Sequence, residues 1–250
     1  MQISNIPLVC RKEFASTNRK TTFNIVAYTF NYISSAEDKK TLDALIEKGG
    51  VLANKVNPGA ANDSTRNRSF SRIKNNCVAG MVAEYCWLHY LNDGGKVIRV
   101  TETDFETASS QIDLKVIVNE QSIEVRSSFP RGTIPFVLCH PKYEFDVIGP
   151  YKNEYKPGEI QKNFYVRTLF RMPSPLVLLS LIKQDGFTAN LTGGATWEMM
   201  TDNTLAKDKN FISEDEILLD REGKASTYRV VPFSNSLDTV EIYKLIESAK

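Results

Sequence analysis

The segment Cys77 to Leu91, CVAGMVAEYCWLHYL, is apolar nearly all the way round a helix and carries a single formally charged side chain, Glu84. A helix of that kind is expected to pack inside a larger protein rather than lie on its surface. At about 100° per residue, Glu84 projects between Leu91 and Cys77, beside Leu88, within the apolar arc. A carboxylate there must pair, bind a metal, or neutralise by raising its pKa. Taken alone, Glu84 reads most simply as a buried structural ion pair or a helix-edge carboxylate that reaches solvent.

Some twenty residues later comes SQIDLKVIVNEQSIEVRSSFPR. Ile112, Leu114, Val116 and Val118 alternate with Gln111, Asp113 and Lys115. Ile123 and Val125 alternate with Ser122, Glu124, Arg126 and Ser128. A period of two on both sides of Asn119-Glu120 is a hairpin signature with its apolar sets on one face. A two-residue loop places Lys115 opposite Glu124 and Asp113 opposite Arg126; a four-residue loop places Lys115 opposite Arg126. A three-residue loop without a bulge sets valines opposite charges and is disfavoured. In both allowed registers Asp113, Lys115, Glu124 and Arg126 share one face. The plain reading of that face is an exposed surface laced with cross-strand ion pairs.

The remainder of the chain mixes helix and strand. Phe23 to Tyr32 has strand composition. Ser35 caps a helix with Leu42, Leu45 and Ile46 on its apolar face, and Gly49-Gly50 are expected to stop it. Val56 to Arg72 is polar and turn-rich. Gly94-Gly95 end the Glu84 helix, and β segments follow from about Val97 to Cys139. Short strands are expected at Phe145–Ile148, Phe164–Phe170 and Phe187–Leu191, with a helix near Leu176–Lys183. Glu214 to Val231 reads as strand and turn, and Leu237 to Ser248 as a closing amphipathic helix. With no internal repeat or low-complexity linker, residues 1–250 read as one α/β domain.

Composition narrows the chemistry. At 42% hydrophobic and 24% charged residues the chain excludes disordered and fibrous classes. Only two histidines are present, His89 and His140, which disfavours His-rich zinc sites and histidine-centred nucleases. Cys10, Cys77, Cys86 and Cys139 show no CxxC spacing and read as reduced thiols of a cytosolic protein. No apolar run is long enough for a membrane span, and the first residues lack a secretory pattern. The net charge of +1 neither suggests nor excludes a polyanion partner, because an acidic site and basic patches cancel in the sum.

A helix glutamate, a strand aspartate and a strand Glu-x-Arg pair would place three carboxylates and one or two cations near one point. Unpaired carboxylates repel, so such a cluster persists most naturally around a divalent ion, and an all-oxygen donor set favours Mg²⁺ or Mn²⁺ over zinc. The order Glu84, Asp113, ten intervening residues, then Glu124-Val125-Arg126 resembles the PD-(D/E)xK, or restriction-endonuclease-like, nucleases. GMVAEYCWLHYLNDGG is similar to the helix that opens their core and carries an auxiliary glutamate. IDLKV and IEVRSS resemble their central β-hairpin, followed by polar serines. The likeness spans about residues 77–130, roughly a fifth of the chain.

The resemblance implies a restriction-endonuclease-like core, a mixed central β-sheet flanked by helices, with N- and C-terminal elaborations. It implies hydrolysis of a DNA phosphodiester. Asp113 and Glu124 would hold Mg²⁺, with Mn²⁺ as substitute, and the Val125 carbonyl would be a further ligand. Glu84 would hold a second ion or a metal-bound water. Arg126, with Lys115 beside it, would steady the nucleophile and the charge on the pentacovalent phosphate. Two positions depart from the pattern. Ile112 stands where the family's name has proline, and Arg126 replaces the signature lysine. Arginine stays protonated and cannot act as a base. Arg126 then serves as an electrostatic element, or Lys115 supplies the amine instead, or the site is catalytically dead.

Arg66, Arg68, Arg72 and Lys74 sit around a helix entrance and are candidates for phosphate or guanine contact, as is Arg131 for a flanking phosphate. In NLTGGATWEMM a strand is expected to run into a turn, with Thr196 capping a helix; no Walker sequence or Gly-x-Ser-x-Gly elbow is present. His140 and Cys139 read as flanking a turn. The expectation is a cytoplasmic, Mg²⁺-dependent endonuclease on double-stranded DNA. A homodimeric type II restriction enzyme is the simplest setting, with no membrane association. The alternatives are a repair or recombination nuclease of the same superfamily, a DNA-binding protein with a degenerate nuclease core, and an α/β interaction protein whose hairpin charges are surface ion pairs.

Overall fold

Strand composition early in the chain forms the first pair of a sheet. In the computed structural model, which describes residues 1–9, 22–56, 68–93, 99–103, 113–129, 146–152, 160–171, 178–211 and 226–248, β1 (Gln2–Val9) runs antiparallel to β2 (Thr22–Phe30). Sequence pattern points to β2 and misses β1. Among the described residues the main sheet has seven strands in the order β1-β2-β8-β7-β5-β4-β3. The remaining members are β3 (Val100–Glu102), β4 (Leu114–Val116), β5 (Ser122–Ser128), β7 (Phe164–Phe170) and β8 (Phe187–Thr196). Every neighbouring pair is antiparallel except β5 and β7, which are parallel, so the sheet is mixed. A second sheet of three antiparallel strands joins β6 (Val147–Lys152), β10 (Ser226–Val231) and β9 (Lys207–Phe211), with β10 central.

Two long helices pack on each other beside the core face of the main sheet. Helix α1 (Ala36–Ala53) opens as expected, the Asp38 N–H donating to Ser35 Oγ at 3.2 Å. It does not stop at Gly49-Gly50 but runs through them. The reason is tertiary: a Cβ at Gly49 would lie 2.8 Å from Val78 Cα, so the glycine lets α1 close on α2 (Phe70–Asp93). Helix α2 starts seven residues before Cys77, inside the segment that reads as turn-rich. As its composition demands, it is buried along most of its length, with Val78, Val82, Cys86, Trp87 and Leu91 in the core against Ile123, Val125 and Val166 of the sheet. The described residues also include short helices α3 (Leu178–Ile182) and α4 (Trp197–Thr201) and the closing helix α5 (Thr239–Ser248). Thr196 caps α4 as expected, accepting from Met199 N–H at 3.3 Å.

Gly193-Gly194 lie within β8 rather than in a turn. A Cβ on Gly193 would meet Leu237 O at 2.0 Å and one on Gly194 would meet Tyr165 O at 2.1 Å. They admit close backbone approach beside a register shift in the β7–β8 ladder, and Gly193 takes φ +72°. Cys77 and Cys86 are buried free thiols, whereas Cys10, Cys139, His140 and the Gly94-Gly95 stop lie outside the described residues. Among the described residues no helix is long and apolar enough to cross a membrane.

Candidate active site

Among the described residues, strand β5 outruns its ladder with β4. The ladder pairs described between them are Lys115–Ser122 and Leu114–Ile123, and β5 continues to Ser128 with β7 along its other edge. Ile123 and Val125 join the core under α2, so by strand alternation Glu124 and Arg126 point to the opposite side, toward the second sheet. A cavity of about 360 Å³ wraps this edge of β5. Glu84 enters it from α2; Asp113, Glu124, Val125 and Arg126 come from the hairpin; Arg68 comes from the entrance to α2.

The register differs from both sequence-based alternatives. Val116 N–H donates to Gln121 O at 2.9 Å, so the turn is Ile117 to Glu120, displaced toward the N-terminus, and Glu120 adopts φ 60°. Ile117 and Val118, expected in the strand, are 56% and 69% exposed. A slip of two residues preserves the face of every side chain, which is why period alone does not detect it. It changes partners, however. Lys115 faces Ser122 and pairs with Glu120 at 3.2 Å, so it is held at the turn and does not line the cavity. The placement gives no support to Lys115 as the amine of the site.

One step past the last ladder pair, the same register sets Asp113 across from Glu124. Both are buried, at 5% and 7% exposure. Like charges directly opposed are unfavourable, and each is compensated separately. Asp113 Oδ2 accepts the Val125 N–H at 2.7 Å, so the carboxylate takes a backbone donor where the two strands part. Glu124 Oε1 lies 3.2 Å from Arg126 Nη2, which also reaches Gly149 O on β6 at 3.4 Å. Glu84 is half-buried, and its carboxyl is pushed well above its ordinary range. Burial is the largest cause, followed by the negative charges of Asp113, Glu102 and Glu124, with Lys48 opposing. The Cys77 thiol beside it is pushed up to about 11 by burial, with Arg68 pulling the other way.

The donor set is hard oxygen throughout, which fits Mg²⁺ or Mn²⁺. Among the described residues the three carboxylates are not drawn together as a ready ligand set, since Asp113 and Glu124 each spend one oxygen on a protein donor. The carboxylates of Glu84, Asp113 and Glu124 and the Val125 carbonyl are the groups that would hold the ion.

The basic candidates divide. Arg68 lines the cavity. Arg72 and Lys74 lie in the first turns of α2 and do not line it; the Lys74 stem packs 3.7 Å from the place a Gly50 Cβ would occupy on α1. Arg66 and Arg131 lie outside the described residues. The far wall of the cavity, with Ile148, Phe211 and Tyr228 from the second sheet, is absent from the sequence-based site. No local motif marks those residues, because their place depends on how two sheets pack. Comparison with models of known protein families, with curated proteins and with solved structures gives no match.

Proposed function

We propose that this protein is a Mg²⁺-dependent nuclease that hydrolyses DNA phosphodiesters. The observation that carries the reading is the meeting of Glu84, Asp113, Glu124 and Arg126 in one cavity where β5 leaves β4. Glu84, Asp113 and Glu124 all line that cavity, and the negative charges of Asp113 and Glu124 help to push the Glu84 carboxyl upward, as acids near one another do. The order of a helix glutamate, a hairpin aspartate and a Glu-x-Arg strand is what a restriction-endonuclease-like core would present; here Glu84 stands on α2, Asp113 just before β4, and Glu124 and Arg126 on β5.

Asp113, Glu124 and the Val125 carbonyl would hold the ion against the scissile phosphate. When bound, Mg²⁺ supplies Lewis-acid polarisation of the phosphate and a more acidic water. Glu84 would hold a second ion or a water of the bound ion from the helix side. Arg126 is charged at every working pH and binds a phosphate oxygen through its planar fork; it does not accept a proton. Arg68, which also lines the cavity, would steady charge as it builds in the transition state. A homodimer cutting both strands of a palindrome in the cytoplasm, as a type II restriction enzyme does, is the setting this reading favours.

The test is cleavage of unmethylated plasmid and phage DNA with Mg²⁺, Mn²⁺ or EDTA, beside Glu124→Ala. Discrete metal-dependent fragments absent from the variant are expected. A second reading draws on Arg126 standing in place of lysine and engaging Glu124: a DNA-binding protein with a degenerate core. It expects salt-dependent gel shifts and intact DNA in every lane.

A further inference from the structure

Gly80 stands near the middle of α2, where a glycine weakens a helix relative to alanine. On α1 packing accounts for such a residue: a Cβ at Gly49 would lie 2.8 Å from Val78 Cα. At Gly80 no atom of the described residues comes within 4 Å of the place a Cβ would occupy. The described fold therefore has room for an alanine there and would gain helix stability from one. Gly80 is half-buried and lines the cavity, so that room belongs to the cavity wall.

The polar groups of the same wall flank it. Asn76, Gly80 and Glu84 are four residues apart, so they form one row along α2, and all three line the cavity. Each step of the row rises about 6 Å. Glu84 marks the end where the ion would sit. Two steps away, Asn76 carries an Oδ1 that is buried and has no hydrogen-bond partner among the described residues. A buried amide oxygen without a partner costs stability, and a ligand that engages the amide recovers it. Half a turn about the last side-chain bond exchanges Oδ1 for Nδ2, so the same amide can donate to a phosphate oxygen. The row thus runs from a carboxylate, across bare helix backbone, to an amide.

We propose that the DNA strand leaving the scissile phosphate runs along this row of α2, a deoxyribose lying against Gly80 and a flanking phosphate accepting a hydrogen bond from Asn76 Nδ2. The inference rests on the nuclease reading above and adds Asn76 and Gly80 to the residues that bind the substrate. A strand that approaches a helix this closely needs a position without a Cβ, which accounts for a glycine that packing does not require. Contacts to sugar and phosphate fix where the backbone lies and carry no sequence information, so they suit a duplex whose bases are read elsewhere.

The test follows Gly80→Ala, Asn76→Ala and Asn76→Asp by urea unfolding in EDTA, by gel shift of plasmid fragments in EDTA, and by KM and kcat for Mg²⁺-dependent cleavage. Gly80→Ala is expected to raise the urea midpoint and yet to weaken the gel shift and raise KM about tenfold, a usual cost of overpacking. Gly50→Ala, on α1 and outside the cavity, places its Cβ 3.7 Å from Lys74 Cε. It should leave DNA binding and cleavage unchanged, which separates obstruction from stiffening of a helix. Asn76→Ala should raise KM about three- to tenfold, as loss of one hydrogen bond does. Asn76→Asp should raise it further, because a carboxylate repels a phosphate. Full DNA affinity of Gly80→Ala would overturn the proposal. So would a lowered urea midpoint for that variant, which would make Gly80 structural, or an Asn76→Asp protein that shifts DNA as well as the parent. A parent that shifts DNA without cutting it removes the nuclease reading and leaves the path along α2 to be decided by the gel shifts; a parent that neither shifts nor cuts removes both.

Discussion

Asp113 holds the Val125 N–H at 2.7 Å in a buried setting, and replacing it separates its structural duty from its chemical one. Asp113→Ala leaves that N–H without its acceptor, which costs about 1–3 kcal/mol when the donor cannot reach water. Removing one of three neighbouring carboxylates relieves repulsion and offsets part of this. Asp113→Asn keeps a carbonyl oxygen for the same donor, so its cost should stay below about 1 kcal/mol. For a chain of this size about 1 kcal/mol moves Tm by about 2–4 °C, so the alanine variant should melt up to about 12 °C lower in EDTA and the asparagine variant close to the parent. Metal sets both variants apart from the parent. With Mn²⁺ at a hundredfold excess over Kd, the parent gains about 2.7 kcal/mol, and both variants, short of a ligand charge, should gain far less and cut no DNA. Thermal melts with and without Mn²⁺, beside a cleavage assay, measure both duties. An alanine variant as stable as the parent in EDTA would refute the structural argument. An asparagine variant with full Mn²⁺ stabilisation and full cleavage would refute the metal-ligand role.

Three further outcomes are expected. Glu84 has its carboxyl raised above the ordinary 4.5, so the stability tied to its neutral form is complete below that value and is lost as pH rises through the folded-state pKa. Glu84→Gln should therefore be more stable than the parent at neutral and alkaline pH in EDTA, with the difference vanishing below about pH 4.5; urea midpoints across pH 4 to 9 show it. Arg126→Ala should lower kcat about 10²–10³-fold, as loss of an electrostatic contact does, while Mn²⁺ stabilisation persists or grows because Glu124 Oε1 is released; loss of metal binding would make Arg126 structural. Gly49→Ala puts a Cβ 2.8 Å from Val78 Cα and should destabilise the fold by about 1–3 kcal/mol, read from urea unfolding.

Local pattern carried a good deal of this architecture. Phe164–Phe170 is a strand at the boundaries its composition suggests, and Ser35 and Thr196 cap the helices that follow them. The pattern failed where a distant contact overrode it. Gly49 reads as a helix stop, yet it sits where α1 needs no side chain against α2. Gly193-Gly194 read as a turn, yet they let Leu237 and Tyr165 approach the strand. The hairpin shows the limit most clearly. Alternation sets which side chains share a face, and that much holds; it is silent on even-numbered slips, and the slip of two moved Lys115 from the cavity to the turn.

By itself, then, the sequence determined that the α2 helix must be buried, that Glu84 must lie in its apolar arc, and that Asp113, Glu124 and Arg126 must share one face of a hairpin. Each follows from periodicities of 3.6 and 2 residues, which are properties of neighbouring residues along the chain. Only the tertiary structure decided that a cavity forms along β5 beyond its described ladder with β4, that Arg68 joins that cavity while Lys74 lies against α1, and that Phe211 and Tyr228 line it from a second sheet. Those placements are set by how two sheets and two helices pack on one another, and contacts between residues a hundred positions apart leave no periodic trace in either segment.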